Sequence, residues 1–365
     1  MPRSGVRAEL QDGQMLEVIP EPAPVDISML NPDPDKYIMK PTSTACGRAH
    51  MLISADLINK EDNQHADSIV ISTGNNVFGQ GGRQIIDGEL FSADHAIISR
   101  VVCGQDHSLV LSTDGKLFSC GLGSDGQTGL ETHKSVESFM RIKGALAHLK
   151  VEDIDCKADT CLALTSCGRL FSWGNNEYGQ IWDHAELMQI NVPHELHLSP
   201  DTAIVPPEVG IASKDLLKIG KIVSIACAGS MNAVVDSFGQ VFVWGFGNLG
   251  LGPKVEFAHR PTLIPPGLFA PACAYSTEHD LVTDVFSGLH HFVAMSKKLG
   301  LIWTWGASRS GISCLGLGKG ADFKLQGLNR STEAQTYPRQ VYIPGQVTDV
   351  ACGVDHTFVL AKDPA

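Results

Sequence analysis

No apolar run in this chain approaches the ~18 residues that a membrane-crossing helix requires, so no such helix is expected. Its 10 cysteines form no C-x-x-C pair and show no metal-ligand spacing. Several recur at one repeat position, the usage of a buried small hydrophobe rather than of a disulfide partner, and a reducing compartment is the expectation. Positive charge is in deficit: 28 Lys and Arg stand against 40 Asp and Glu, a formal net charge of −12. A nucleic-acid footprint needs a clustered basic face, so the balance argues against a broad one and leaves room only for local patches. The stretch from Met1 to Asp35 lacks both a signal-peptide core and an Arg-rich amphipathic pattern, so the chain as written shows no targeting segment. No Ser-His-Asp order, H-E-x-x-H helix or pair of catalytic carboxylates stands out. The expectation is no catalytic residue, no metal and no cofactor.

What is present is a repeat. Its first half is an apolar pair, then Cys-Gly-x-x-His and a β-rich run. It appears as Ala45-Cys46-Gly47-Arg48-Ala49-His50, as Val102-Cys103-Gly104-Gln105-Asp106-His107, and near the end as Ala351-Cys352-Gly353-Val354-Asp355-His356. Weaker copies lie at Asp155-Cys156-Lys157, Ala226-Cys227-Ala228-Gly229 and Phe286-Ser287-Gly288-Leu289-His290-His291. The second half is an apolar pair, then Trp-Gly and a Gly-rich turn. Leu170-Phe171-Ser172-Trp173-Gly174, Val241-Phe242-Val243-Trp244-Gly245 and Ile302-Trp303-Thr304-Trp305-Gly306 carry it; Leu117-Phe118-Ser119-Cys120-Gly121 and Ile71-Ser72-Thr73-Gly74 fill the same slot. The halves alternate strictly.

Each unit reads as a small antiparallel sheet. Ser108 to Leu111 and Lys116 to Cys120 flank Asp114-Gly115, a hairpin signal because Gly accepts positive φ without steric cost. Cys167-Gly168, Phe238-Gly239 and Leu299-Gly300 repeat that turn. One sheet cannot bury both faces alone, so the units stack, and radial stacking makes an all-β fold, a β-propeller. The expected layout is an irregular N-terminal arm over 1–41, in which Gln14 to Ile19 can pair as a strand, then repeats over 42–361 and a tail over 362–365. The units run approximately 42–82, 99–130, 151–182, 222–252 and 283–318, with a half unit at 347–361. The first unit reads as having the polar loop Ser54 to Ser68 in place of its hairpin. Insertions are expected at His184 to Lys221, with a short helix at Asp215 to Ile219, and at Phe323 to Pro338.

Cys-Gly-x-Asp-His-Ser alternating with Leu-Phe-Ser-Trp-Gly-x-Asn-x-Tyr-Gly-Gln resembles the regulator-of-chromosome-condensation repeat family, over roughly residues 42 to 361. Gly74-Asn75-Asn76-Val77-Phe78-Gly79-Gln80 and Asp125-Gly126-Gln127-Thr128-Gly129-Leu130 look like its mitochondrial branch. The resemblance implies a seven-bladed propeller of which this chain, with five full units and a half, carries less; a truncated isoform or gene model, an incompletely closed ring, or atypical strands from the arm are the alternatives. It implies a mitochondrial, non-catalytic interaction protein acting like a guanine nucleotide exchange factor on a small or dynamin-like fusion GTPase. It also implies work with the large subunit of the mitochondrial ribosome, with rRNA as a further partner, no DNA sequence recognition, and at most peripheral membrane association. An RNA-associated assembly scaffold without exchange activity and a nuclear or cytosolic exchange factor are the alternatives; a propeller lyase or hydrolase lacks any converging polar set.

By the same resemblance, an Asp and a His of the Gly-x-Asp-His turns serve exchange at one face, which nominates Asp106, Asp355, His290 and His291 as partner contacts. The competing reading gives the turn residues structural work. His50, His107 and His356 then tie neighbouring strands through backbone hydrogen bonds, and Trp173, Trp244 and Trp305 pack the core beside Gly121, Gly174, Gly245 and Gly306. Gly121 to Gly126 and Gly245 to Gly250 each match G-x-G-x-x-G, but no helical pattern follows either, so both read as repeat turns. Gly318-Lys319-Gly320 is no phosphate loop, and the sequon Asn329-Arg330-Ser331 is read as silent.

Overall fold

In a computed structural model the described residues are 6–9, 15–18, 26–82, 97–184, 186–209, 217–270, 282–308, 314–317 and 333–362. They form antiparallel sheets that follow the repeat. The first has three strands, β3 (Tyr37–Cys46), β4 (His50–Asn59) and β5 (His65–Gly74). Four-stranded sheets follow: β6 (Ile98–Cys103), β7 (His107–Ser112), β8 (Leu117–Gly121) and β9 (Val136–Arg141); then β10 (Val151–Cys156), β11 (Thr160–Thr165), β12 (Leu170–Asn175) and β13 (Gln189–Leu196). The next two are β14 (Ile222–Cys227), β15 (Met231–Asp236), β16 (Val241–Phe246) and β17 (Phe257–Leu263), and β18 (Asp284–Ser287), β19 (His291–Ser296), β20 (Leu301–Ser308) and β21 (Glu333–Val341). A two-stranded sheet of β22 (Gln346–Cys352) and β23 (Thr357–Lys362) ends the series. Strand order equals chain order in every blade.

Several sequence expectations change. The arm is not wholly irregular: β1 (Val6–Glu9) pairs with β2 (Met15–Val18), and β3 already begins at Tyr37. The first unit keeps a hairpin, because β4 and β5 run through most of Ser54–Ser68 and leave only a short turn between Asn59 and His65. The supposed insertions hold the outermost strands, β13 within 184–221 and β21 within 323–338 and beyond, and the units drawn as 99–130 and 222–252 likewise stop short of β9 and β17. These outer strands carry only weak patterns because no further strand of their own sheet covers the outer edge, which meets at most single backbone contacts such as Ile204 with Thr262 and Glu131 N–H with the Asn191 carbonyl. The short helix expected at Asp215–Ile219 is not seen in its described part, since 217–219 take no helical conformation; 215–216 lie outside the described residues, as do Gly318-Lys319-Gly320 and Asn329-Arg330-Ser331.

Gly115, Gly168, Gly239 and Gly300, the hairpin glycines expected from sequence, all have φ between 65° and 87°. Five apolar seams join successive sheets among the described residues, and none joins the last sheet to the first. The seams explain why the strands read as nearly continuous apolar runs: β7, β11 and β15 are buried at every position, one face per neighbour. Trp173, Trp244, Trp303 and Trp305 are fully buried in them. Two of these indoles also donate backwards to the preceding blade, Trp173 Nε1 to the Gln127 carbonyl at 3.0 Å and Trp244 Nε1 to the Gln180 carbonyl at 2.7 Å. Trp173 and Trp244 are therefore both packing groups and inter-blade pegs, whereas Trp303 and Trp305 serve by packing.

The Cys-Gly-x-x-His turn has one geometry throughout. Gly47, Gly104, Gly288 and Gly353 each donate N–H to the carbonyl of the His three residues on, at 2.8–3.0 Å. The imidazole folds back over the glycine so closely that a Cβ there would come within 2.2 Å of Cε1 in every case. Where the repeat has no His, the glycine is absent too: Lys157 precedes Thr160 and Ala228 precedes Met231. Pairing of the two residue types thus has a steric cause. Gly47→Ala is expected to cost about 2–3 kcal/mol in urea denaturation, the usual penalty for overpacking, and His50→Thr in the same chain to recover part of it. Gly267→Ala, with nothing within 4 Å of the added carbon, serves as the neutral control. Additive losses in the double variant would remove the steric account.

Candidate functional site

The first strands of all six sheets line a central channel of about 660 Å³. Two side chains from the third blade staple it. Asp155 accepts from the Cys227 N–H at 2.8 Å and the Ser287 hydroxyl at 3.1 Å, while Lys157 donates to the Cys352 carbonyl at 2.8 Å. Both groups are engaged structurally. Lys157 can occupy its place because Thr160, not a histidine, stands three residues later.

The Gly-x-x-His turns form one face of the stacked blades. Successive turns bond to each other through their backbones, Arg48 N–H to Gln105, Gln105 N–H to Ala158, Gly229 N–H to Leu289 and Leu289 N–H to Val354, at 2.8–3.2 Å. The residue before each turn His, or its counterpart, accepts from the residue after the Trp-Gly glycine: Asn75 to Ala49, Leu122 to Asp106, Asn175 to Asp159, Phe246 to Ser230 and Ala307 to His290. This contact demands the glycine. Gly174 has φ of 104°, and a Cβ on it would lie 2.1 Å from the Asp159 carbonyl. Gly121, Gly245 and Gly306 are held the same way, so the G-x-G-x-x-G matches are turns.

On this face a depression of about 420 Å³ is lined by Gln105, Asp159, Asn175, Tyr178, Phe246 and His290 among others. Its aromatic wall is exposed: Tyr178 and Phe246 stack at 5.4 Å, and Phe257 lies 6.4 Å beyond. The Asn-x-Tyr-Gly-Gln turn sets Tyr178, with Gln180 Oε1 accepting its N–H at 2.9 Å and Asn175 Oδ1 accepting from Glu177 at 3.1 Å. Asp159 accepts from Gln127 Nε2 at 3.1 Å, and burial raises its carboxyl despite the nearby His107. Exposed aromatics beside polar groups in a concavity are what a protein partner's anchor residues fit.

Of the residues nominated from sequence, His290 alone lines this depression. Asp355 sits half-buried in the turn that follows that of His290. Asp106 is nearly buried and paired with Arg48 at 2.5 Å. His291 is fully buried, so it is a framework residue and not a partner contact. Tyr178, Phe246 and Asp159 were missed; Phe246 follows its Trp-Gly slot directly and Tyr178 stands four residues after Gly174, both in turns read only as part of the repeat pattern.

The histidines do not tie strands through backbone bonds, as expected, but clasp a side chain on the next blade. His50 Nε2 lies 2.9 Å from Ser108 Oγ, His107 Nε2 3.1 Å from Cys161 Sγ, and His291 Nε2 2.8 Å from Thr357 Oγ1. Ser108 and Thr357 donate onward to the carbonyls of Gln80 and Cys314, so their oxygens accept from the imidazoles. His356 keeps the turn, but its ring is exposed and edges onto Phe358. The middle clasp differs chemically. Burial pushes the Cys103 and Cys352 thiols up to about 12, whereas Cys156, fully buried, is drawn below its ordinary value by Cys161 and His107. His107, disfavoured as a cation by burial, is nevertheless raised by Cys156.

The model of the regulator of chromosome condensation (RCC1) repeat matches residues 98–127, 151–180 and 300–360. The chain is 36% identical over 355 residues to a human RCC1-like G exchanging factor-like protein, covering 95% of this chain and 66% of that relative's length. It is 28% identical over 216 residues to a bovine secretion-regulating guanine nucleotide exchange factor, covering 59% of this chain and 41% of that one. A crystal structure of human WBSCR16 superposes with a TM-score of 0.67 at 32% identity, over 89% of this chain and 87% of the other.

The clasps predict acid sensitivity. Burial lowers His50 and His291 from 6.5 to about 4, and their Nδ1 atoms have no partner among the described residues that could take a second proton. The unfolded chain binds protons at these sites from pH 6.5 downward and the folded one only near pH 4. Stability is therefore complete above pH 6.5 and falls as pH drops toward 4, by up to about 3 kcal/mol per clasp. Urea midpoints across that range should drop for the native chain and flatten in His50→Gln; an equal slope in both would exclude the clasp as the cause.

Proposed function

The chain belongs to the regulator of chromosome condensation repeat family, and on that footing we propose that it is a mitochondrial, guanine-nucleotide-exchange-factor-like propeller whose turn-bearing face docks a GTPase. The observation that carries this reading is the exposed aromatic wall of Tyr178 and Phe246 beside His290 and Asp159, in a chain whose relatives include exchange factors. Exchange makes and breaks no covalent bond. A protein that binds the nucleotide-free form of a GTPase more tightly than the loaded form weakens nucleotide binding by the same factor, so a rigid face with a few anchors is sufficient machinery. The inter-blade clasps and backbone bonds supply that rigidity.

A dynamin-like fusion GTPase is the favoured partner and a small GTPase the alternative, both on the family resemblance. Assembly of the large subunit of the mitochondrial ribosome is a further role under the same resemblance. With a net charge of −12, protein contacts to that subunit are favoured over an rRNA footprint.

The test is release of a fluorescent guanine nucleotide from small and dynamin-like GTPases. The chain should accelerate release from its partner, and Tyr178→Ala with Phe246→Ala should reduce that acceleration at least tenfold with an unchanged melting temperature, as loss of an interface anchor does. Acceleration indifferent to these changes moves the docking site elsewhere; neither acceleration nor complex formation removes the exchange reading. Fractionation of the tagged protein checks the location, and recovery in the cytosol alone would overturn it.

A further inference from the structure

The repeat sets the same three positions together at each clasp: a His from one blade, and from the next blade a Cys ending the first strand and a small polar residue opening the second. His50 meets Cys103 and Ser108, and His291 meets Cys352 and Thr357, with sulfur-to-hydroxyl separations of 3.7 and 3.9 Å. At the seam between the second and third blades the hydroxyl is replaced by a thiol. His107 then faces Cys156 and Cys161, directly paired across β10 and β11, and the three donor atoms all lie within 4.8 Å of one another. We infer that His107, Cys156 and Cys161 form a closed structural site for a soft d10 cation, zinc or cuprous copper.

The geometry suits such an ion. Bonds of ~2.3 Å to sulfur and ~2.0 Å to nitrogen place the ligands of one ion roughly 3.5–4 Å apart. The 3.1 Å between His107 Nε2 and Cys161 Sγ needs to open by only a few tenths of an ångström. Two thiolates and an imidazole are soft donors and discriminate against magnesium and calcium. Charge balance favours zinc, since two thiolates neutralise a dication in a seam where all three residues are fully buried. The Gln127 carbonyl, 3.4 Å from Cys161 Sγ, can serve as a fourth ligand for zinc, whereas cuprous copper is satisfied by three. All three side chains are shut off from solvent among the described residues, so the ion is taken up as the two blades come together and then fastens them.

Motif spacing along the chain does not reveal the site, because the His comes from the preceding blade. Buried cysteine as a small hydrophobe is the rival account; it leaves unexplained why thiol replaces hydroxyl where a second thiol and an imidazole already converge.

The test uses the whole chain, purified under reducing conditions, stripped of metal and exposed separately to zinc and to cuprous ions. One equivalent should remain after gel filtration, measured by elemental mass spectrometry, and cobalt in its place should show a sulfur-to-metal charge-transfer band. Cys161→Ser recreates the side chain used in the His50 clasp, so it should fold; it should abolish both signals. Cys227→Ser, a buried thiol outside the cluster, should keep them. Retention of zinc alone or copper alone identifies the ion. No retained metal in the folded native chain, or equal retention in Cys161→Ser, overturns the site. Nucleotide release is not read here, so the outcome is independent of the exchange proposal.

Discussion

The imidazole packed on a glycine is the contact from which the stack of blades is organised. It fixes the turn between the first two strands of a blade and aims Nε2 at a hydroxyl or thiol of the next blade. The same turn then receives the N–H that follows the Trp-Gly glycine. Three requirements meet at one place: a residue without Cβ beneath the ring, a short polar acceptor in the neighbouring blade, and a positive-φ glycine at the end of the third strand. Relaxing one permits the others to change, as the third and fourth blades show with Lys157 and Thr160, and Ala228 and Met231.

The departures carry much of the individuality of this chain. Without a His at the third turn, Lys157 crosses the channel to the last sheet, beside Asp155, which reaches the fourth and fifth blades. With Cys161 in place of a hydroxyl, the clasp from the second blade becomes a thiol cluster. At the final sheet His356 meets no hydroxyl or thiol among the described residues, and His356, Phe358 and Leu360 are exposed. Framework positions and candidate functional positions are therefore the same positions, differing by which neighbour the side chain finds.

That overlap explains how the candidate site was only partly legible. Asp106, His290, His291 and Asp355 are near-identical in sequence context, since each belongs to a Gly-x-x-His turn. Which side of the turn a side chain takes decides its role: His291 points into a seam and is lost to solvent, while His290, one residue earlier, borders the depression. The aromatic wall was overlooked because Tyr178 and Phe246 come from different blades and become neighbours only when those blades stack.

By itself the sequence determined the all-β repeat, the hairpins at Gly115, Gly168, Gly239 and Gly300, and the burial of the Trp-Gly tryptophans, because those features follow from local φ preference and from apolar runs within one blade. Tertiary structure decided the rest. The outer strands β9, β13, β17 and β21, the clasps from histidine to hydroxyl or thiol, the stapling of the channel and the meeting of His107 with Cys156 and Cys161 all involve a partner that is remote in the chain or weakly patterned. Residues some fifty or more positions apart are brought into contact by radial stacking, and no local preference encodes that distance.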